Sequence, residues 1–175
     1  MSAMEKDLTA FIREIPDFPK PGILFYDITP LLADAKSLAG AIDALSEPFL
    51  GQGIDVVAAV EARGFIFGSA VARALNVGFV PIRKKGKLPF ETHSVSYGLE
   101  YGEDSVEVHS DAVSPGSKVL MVDDLLATGG TMAAACELIE NLGGKIAGLT
   151  FLIELADLNG REKLGQYDIH TVITY

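Results

Sequence analysis

Apolar residues come along this chain in short runs separated by stretches of helical spacing. Ile54–Val60 (IDVVAAV), Phe79–Arg83, Lys118–Asp123 (KVLMVD), Ile146–Leu155 and Ile169–Thr174 predict strands. Several are apolar almost throughout, as in a parallel sheet covered on both faces. Leu38, Ile42, Leu45 and Phe49 recur at spacings of 4, 3 and 4, which puts them on one helical face, with Pro48 marking a kink or an end. Phe65–Leu75 predicts a second helix, stopped at Asn76 and Gly78. Thr131–Leu142 predicts a third, stopped by Gly143 and Gly144. This alternation predicts one α/β domain over residues 1–175, with a mainly parallel twisted sheet flanked by helices. Ligands of such sheets bind at the carboxyl ends of the strands.

Two segments stand outside the alternation. Asp17–Asp27 (DFPKPGILFYD) is proline-rich and precedes the first core unit. Lys84–Asp104 lacks clean periodicity and reads as a long loop, a kind of segment that is usually functional or disordered.

The chemistry concentrates after the third strand, in Val119–Thr131 (VLMVDDLLATGGT). The strand is expected to end in Asp123 and Asp124, followed by a small-residue loop, Ala127-Thr128-Gly129-Gly130-Thr131, and a helix. Glycines let amides turn inward and a helix N-terminus adds partial positive charge, so the loop reads as an anion site. Thr128 and Thr131 can donate hydroxyls to it. Gly129–Gly130 alone would read as a plain turn. Neither the Walker pattern nor G-x-G-x-x-G is present. Two carboxylates would repel a phosphate, but they accept from vicinal hydroxyls and suit Mg²⁺. An anion site beside a diol site predicts a sugar phosphate, with pentose 5-phosphate suiting the short spacing. After the first core strand comes Glu61-Ala62-Arg63-Gly64, and an arginine there can grip phosphate oxygens bidentately or pair with a nearby acid.

Charge narrows the partners. The 14 basic and 24 acidic residues give a net charge of −10, which argues against nucleic acid and anionic membranes as partners. It does not exclude a small phosphorylated ligand held by local donors. Arg83, Lys84, Lys85 and Lys87 form a basic run that reads either as a solvated face or as a lid over a polyanion. The single Cys136 excludes an intramolecular disulfide. Met1–Phe11 has no secretory pattern and no run reaches membrane-spanning length, so a cytoplasmic protein is expected.

VLMVDDLLATGGT resembles the 5-phosphoribosyl-1-pyrophosphate (PRPP) motif of type I phosphoribosyltransferases. FPKPGILFYDITPLL (Phe18–Leu32), EARGFIFG (Glu61–Gly68), PIRKKGKLP (Pro81–Pro89) and YGLEYGEDS (Tyr97–Ser105) narrow the resemblance to the adenine-specific members. It implies the type I phosphoribosyltransferase fold with a small N-terminal hood over 1–33 and a flexible lid over 84–104. It implies transfer of phosphoribosyl from PRPP to adenine, giving AMP and pyrophosphate. It implies that Asp123 and Asp124 hold the ribose hydroxyls and that Ala127, Thr128, Gly129, Gly130 and Thr131 hold the 5-phosphate. Glu61, Ala62, Arg63, Arg83, Lys84 and Lys87 would serve pyrophosphate and the lid, with a cis peptide at Glu61–Ala62. Glu100 would relay the base proton, with Tyr101 and Arg63 beside it in the catalytic set, although Glu100 alone also reads as an exposed loop acid. Leu24, Phe25, Tyr26 and Leu155 would form the adenine pocket. The resemblance further implies Mg²⁺ held mainly by PRPP, without a dedicated protein cage, and a homodimer. A 6-oxopurine transferase or a non-catalytic PRPP sensor are the competing readings.

Overall fold

A computed structural model of the chain describes residues 8–99 and 102–175. They divide into two compact units, Met1–Ala44 and Leu45–Tyr175.

The first unit carries an antiparallel hairpin of β1 (Arg13–Pro16) and β2 (Leu24–Asp27). The proline-rich connection turns tightly, with a cis Phe18–Pro19 bond and Asp17 and Gly22 at positive φ. Asp17 Oδ1 accepts the Gly22 amide at 2.7 Å and closes the turn. α1 (Thr29–Ala33) and α2 (Ala35–Ser46) follow. Asp34 accepts from the Ser37 amide and hydroxyl at 2.8 Å, the capping that starts α2. α2 gives way to a 3₁₀ turn at Glu47–Phe49, where Pro48 was expected to break it.

The second unit is a seven-stranded sheet in the order β5-β6-β4-β3-β7-β8-β9. Its elements are β3 (Val56–Val60), α3 (Gly64–Leu75), β4 (Gly78–Lys84), β5 (Thr92–Leu99), β6 (Gly102–His109), β7 (Lys118–Leu126), α4 (Gly130–Asn141), β8 (Lys145–Glu154) and β9 (Ile169–Thr174). β4, β3, β7, β8 and β9 run parallel, and β6 and β5 add an antiparallel edge. The α3 crossover leads from β3 to β4 and the α4 crossover from β7 to β8, in opposite directions along the sheet. The order therefore reverses between β3 and β7, and this is where an open α/β sheet forms its ligand crevice. Asn76 in the left-handed region ends α3, and Gly143 at φ +85° follows the end of α4.

The core is apolar and closed. Val119, Met121, Leu149 and Phe151 of β7 and β8 pack with Met132, Ala135, Cys136, Leu138 and Ile139 of α4 and Val106 and Val108 of β6. Burial pushes the Cys136 thiol up to about 12, so it acts as a small apolar side chain.

One expectation fails. Most of 84–104 is not an irregular loop but the β5–β6 hairpin, paired from Thr92↔His109 to Leu99↔Gly102. The alternation of Val95, Tyr97 and Leu99 with Ser94, Ser96 and Gly98 encodes it, but the low apolar content masks the pattern. The irregular part is the turn that joins Lys84 to Thr92.

Candidate active site

β3 ends at Val60, and β7 loses its pairing with β3 after Ala59↔Val122. β7 stays paired with β8 as far as Leu126↔Glu154. Asp123–Leu126 is therefore bordered by a strand on one side only, and the open side forms a cleft of about 400 Å³. Glu61, Ala62, Arg63, Lys84, Asp123, Asp124 and the whole Ala127–Thr131 loop line it. Sequence reasoning placed Asp123 and Asp124 at the strand end. They lie within the strand, Asp123 opposite Phe151, which fixes their backbone.

The Ala127–Thr131 loop joins β7 to the N-terminus of α4. Gly129 sits at φ +76° before α4 and offers no side-chain cap, so the first amides of α4 lack an intrahelical acceptor. A Cβ on Gly129 would stand 2.5 Å from the Gly160 carbonyl oxygen. The loop thus rests on the turn around Gly160, which itself approaches Ala127 and Leu126 too closely for a side chain. Gly64 does the same for the acid pair, because a Cβ there would lie 2.6 Å from Asp123 Oδ1.

The acid pair is electrostatically loaded. Asp123 Oδ1 accepts the Asp124 amide at 2.9 Å, and Asp124 Oδ2 lies 2.8 Å from Arg63 Nε. Burial and then the neighbouring Asp124 charge push Asp123 well above the usual carboxylate range. Burial also raises Asp124, with Arg63 working against it. Such a pair gains from a ligand that donates hydroxyl protons to it.

Glu61–Ala62 is a cis peptide, as the family resemblance implied. The Glu61 carboxylate turns to the basic run. It accepts the Lys84 amide at 2.6 Å and lies 3.1 Å from both Arg83 Nη2 and Lys87 Nζ. Burial works to raise Glu61, but the Lys84 amide, Arg83 and Lys87 together hold it below its ordinary value. Lys84 Nζ is engaged by Asp104 and Tyr97. The basic run is therefore tied by Glu61 and Asp104 rather than being a free cationic face, and of Arg83, Lys84 and Lys87 only Lys84 lines the cleft.

Leu24, Phe25 and Tyr26 lie on β2 of the first unit, Phe25 edge-on to Phe18 at 5.1 Å. Leu155 follows β8 in the second unit, its amide bonded to the Leu126 carbonyl. Beside it, Arg161 grips Glu154 through two bonds of 2.6 and 2.7 Å and fixes that strand end. Glu100 and Tyr101 lie outside the described residues.

Sequence reasoning missed Tyr97, Asp104, Glu107 and Gly160. Glu107, 5% exposed, accepts the amides of Gly86, Lys87 and Leu88 at 3.0–3.1 Å and pins the basic turn from below. A charged residue between Val106 and Val108 in a buried strand was the available signal.

Among the described residues no three carboxylate, imidazole or thiol groups converge as a metal cage. The cleft's carboxylates are the adjacent Asp123–Asp124 pair, of which Asp124 already faces Arg63, and Glu61, already engaged by Arg83 and Lys87. This donor set fits Mg²⁺ that arrives with ligand oxygens and water rather than a resident ion. A second cleft of about 580 Å³ lies at the opposite, amino ends of β7–β9, lined by Phe49, Lys118, Lys145, Ile146 and His170. It has neither glycine loop nor acid pair. No helix among the described residues is long and apolar enough to cross a membrane.

A phosphoribosyl transferase domain model matches residues 25–173. The chain is 58% identical over 168 residues to an adenine phosphoribosyltransferase of Koribacter versatilis, covering 96% of this chain and 92% of that one. It superposes on the crystal structure of the Thermoanaerobacter pseudethanolicus adenine phosphoribosyltransferase with TM-score 0.94, at 54% identity over 97% of this chain and 98% of that one. The Saccharomyces cerevisiae adenine phosphoribosyltransferase, solved with an imino-altritol bisphosphate and adenine, gives TM-score 0.92 at 41% identity, covering 98% and 99% of the two chains.

Proposed function

The chain belongs to the phosphoribosyl transferase family, and from that premise we infer that it transfers the 5-phosphoribosyl group of PRPP to adenine. The products are AMP and pyrophosphate, and the reaction is a purine-salvage step. The observation that carries this reading is one cleft holding both the glycine anion loop and the Asp123–Asp124 pair.

In the reaction a ring nitrogen of adenine bonds to the anomeric carbon as the bond to pyrophosphate breaks. The electron pair leaves with pyrophosphate, and the base proton passes to a nearby acceptor, for which Glu100 is proposed. Positive charge develops on the ribose, as in glycoside cleavage. We assign the Ala127–Thr131 amides and hydroxyls to the 5-phosphate, and Asp123 and Asp124 to the ribose hydroxyls. In this assignment Arg63 and Lys84 face the pyrophosphate, with Glu61 orienting Arg83 and Lys87 behind them, and Tyr101 is assigned with Glu100 to the catalytic set by the family resemblance. Mg²⁺, held by pyrophosphate oxygens, would add charge neutralisation for the leaving group. The adenine assignments to Leu24, Phe25, Tyr26 and Leu155 and a homodimer rest on the family resemblance, and a cytoplasmic location on the lack of a secretory pattern and of a membrane-spanning run in the sequence.

The experiment is chromatography of products from PRPP, adenine and Mg²⁺. AMP and pyrophosphate in equal amounts are expected. No product, with PRPP intact, would overturn the assignment.

A further inference from the structure

The Tyr97 hydroxyl sits at a junction that the proposed chemistry leaves unused. Thr131 Oγ1, in the anion loop, donates to it at 3.2 Å. Lys84 Nζ donates to it at 2.6 Å, and it donates in turn to Asp104 Oδ2 at 3.2 Å. Lys84 also donates to Asp104. A phenolic hydroxyl has one proton and two lone pairs, so these three bonds saturate it. The network joins three elements: β4 through Lys84, the β5–β6 hairpin through Tyr97 and Asp104, and α4 through Thr131.

Two consequences follow from the atoms alone. The single Thr131 hydroxyl proton is committed to Tyr97, so Thr131 can donate to a phosphate only by leaving Tyr97. Lys84, the cleft's basic residue from the hairpin side, gives two of its three N–H groups to Asp104 and Tyr97 and sits beside the Asp104 charge, so it offers an anion its full charge only by loosening that hold. Donation by Thr131 polarises the Tyr97 hydroxyl and strengthens its own donation to Asp104, so losing the Thr131 bond weakens the Tyr97–Asp104 contact that completes the hold on Lys84.

We propose that Tyr97 and Asp104 are positioning residues that make release of Lys84 to pyrophosphate depend on capture of the 5-phosphate by Thr131. Tyr97 transmits the event and Asp104 holds Lys84 until it occurs. The order matters chemically, because a pyrophosphate gripped without its ribose would occupy the cleft unproductively. The inference rests on the phosphoribosyl transfer reading and concerns how that site is loaded.

The test is calorimetric titration of the full chain with magnesium pyrophosphate, with and without saturating ribose 5-phosphate. By linkage, each ligand changes the other's affinity by the same factor. Two adjacent anions repel, so the informative quantity is that factor in the wild type divided by the factor in a variant. The wild-type factor is expected to favour joint binding about fivefold or more over Tyr97→Phe, which keeps the ring and loses the junction. Asp104→Asn is expected to bind magnesium pyrophosphate alone more tightly than wild type and to lose the coupling. Thr131→Ser, which retains the hydroxyl, is expected to keep the coupling. A merely structural role for Tyr97 would weaken both ligands without changing the factor. Equal factors in wild type and Tyr97→Phe, within twofold, would overturn the inference while leaving AMP synthesis untouched. Failure of the wild type to bind either ligand would overturn it together with the reading it rests on, and the AMP assay tells these cases apart.

Discussion

Arg63 Nε lies 2.8 Å from Asp124 Oδ2, so an ion pair ties the loop after β3 to the acid pair of β7. These two strands part company at the sheet's point of reversal, and the pair bridges the crevice they leave. Replacing Arg63 with alanine removes the proposed pyrophosphate contact and leaves the Asp124 charge without its Arg63 partner. The KM for PRPP is expected to rise about tenfold, the equivalent of one charge-assisted hydrogen bond. The stability loss is expected to be only on the order of 1 kcal/mol, because the Arg63 side chain is 36% exposed and its partner's field is partly screened. Steady-state kinetics and urea unfolding read the two effects separately.

Asp123 sets function against stability. Its pKa is raised in the folded state, so the folded chain binds a proton there more readily than the unfolded chain. Its charge therefore destabilises the fold at neutral pH, and that cost fades as pH falls through the raised value. Asp123→Asn keeps an oxygen for the Asp124 amide but removes the charge. A higher Tm at pH 7.5 is expected, with the gain shrinking towards pH 4.5. In the same variant kcat/KM for PRPP is expected to fall about tenfold or more. A lower Tm at pH 7.5 would contradict the electrostatic account.

Glu107 works in the other direction. Burial opposes its charge, but the three amides of Gly86, Lys87 and Leu88 win and hold its pKa low. A lowered carboxylate stabilises above the unfolded value and loses that contribution as pH falls through the folded one. Glu107→Gln should therefore be less stable than wild type at pH 7, with the gap closing below about pH 4. Urea midpoints at pH 7 and pH 3.5 measure it, and a gap independent of pH would contradict the assignment.

Gly129→Ala tests the anion loop. The position needs φ +76° and leaves 2.5 Å to the Gly160 carbonyl for any Cβ. A loss of about 1–3 kcal/mol is expected from the backbone conformation and the clash, together with weaker binding of ribose 5-phosphate. Unchanged denaturant midpoint and affinity would show that the loop tolerates a side chain.

Much of this architecture was legible in the residues. Ile169–Thr174 forms β9 with the predicted bounds, and Pro48 and Asn76 end their helices where expected. The anion loop and the acid pair share a cleft because they are contiguous in sequence and flank one strand end. The β5–β6 hairpin was hidden because its faces carry Ser94, Ser96 and Gly98, too polar to stand out from a loop. The ties from Glu61 and Asp104 to the basic run were hidden for a different reason. They join residues about twenty positions apart or more, and pairing at that range depends on strand order, which local periodicity does not encode. A basic run read alone looks like a free cationic surface, and the folded chain spends most of its charge internally.

The central claim is that this cleft makes a nucleotide from PRPP and adenine. Offering PRPP and Mg²⁺ an equimolar mixture of adenine, hypoxanthine, guanine and xanthine, and separating the nucleotides formed, tests it most directly. AMP as the dominant product, with pyrophosphate released in equal amount, is the predicted result. A 6-oxopurine nucleotide in its place would contradict the adenine assignment, and consumption of no base would contradict catalysis itself.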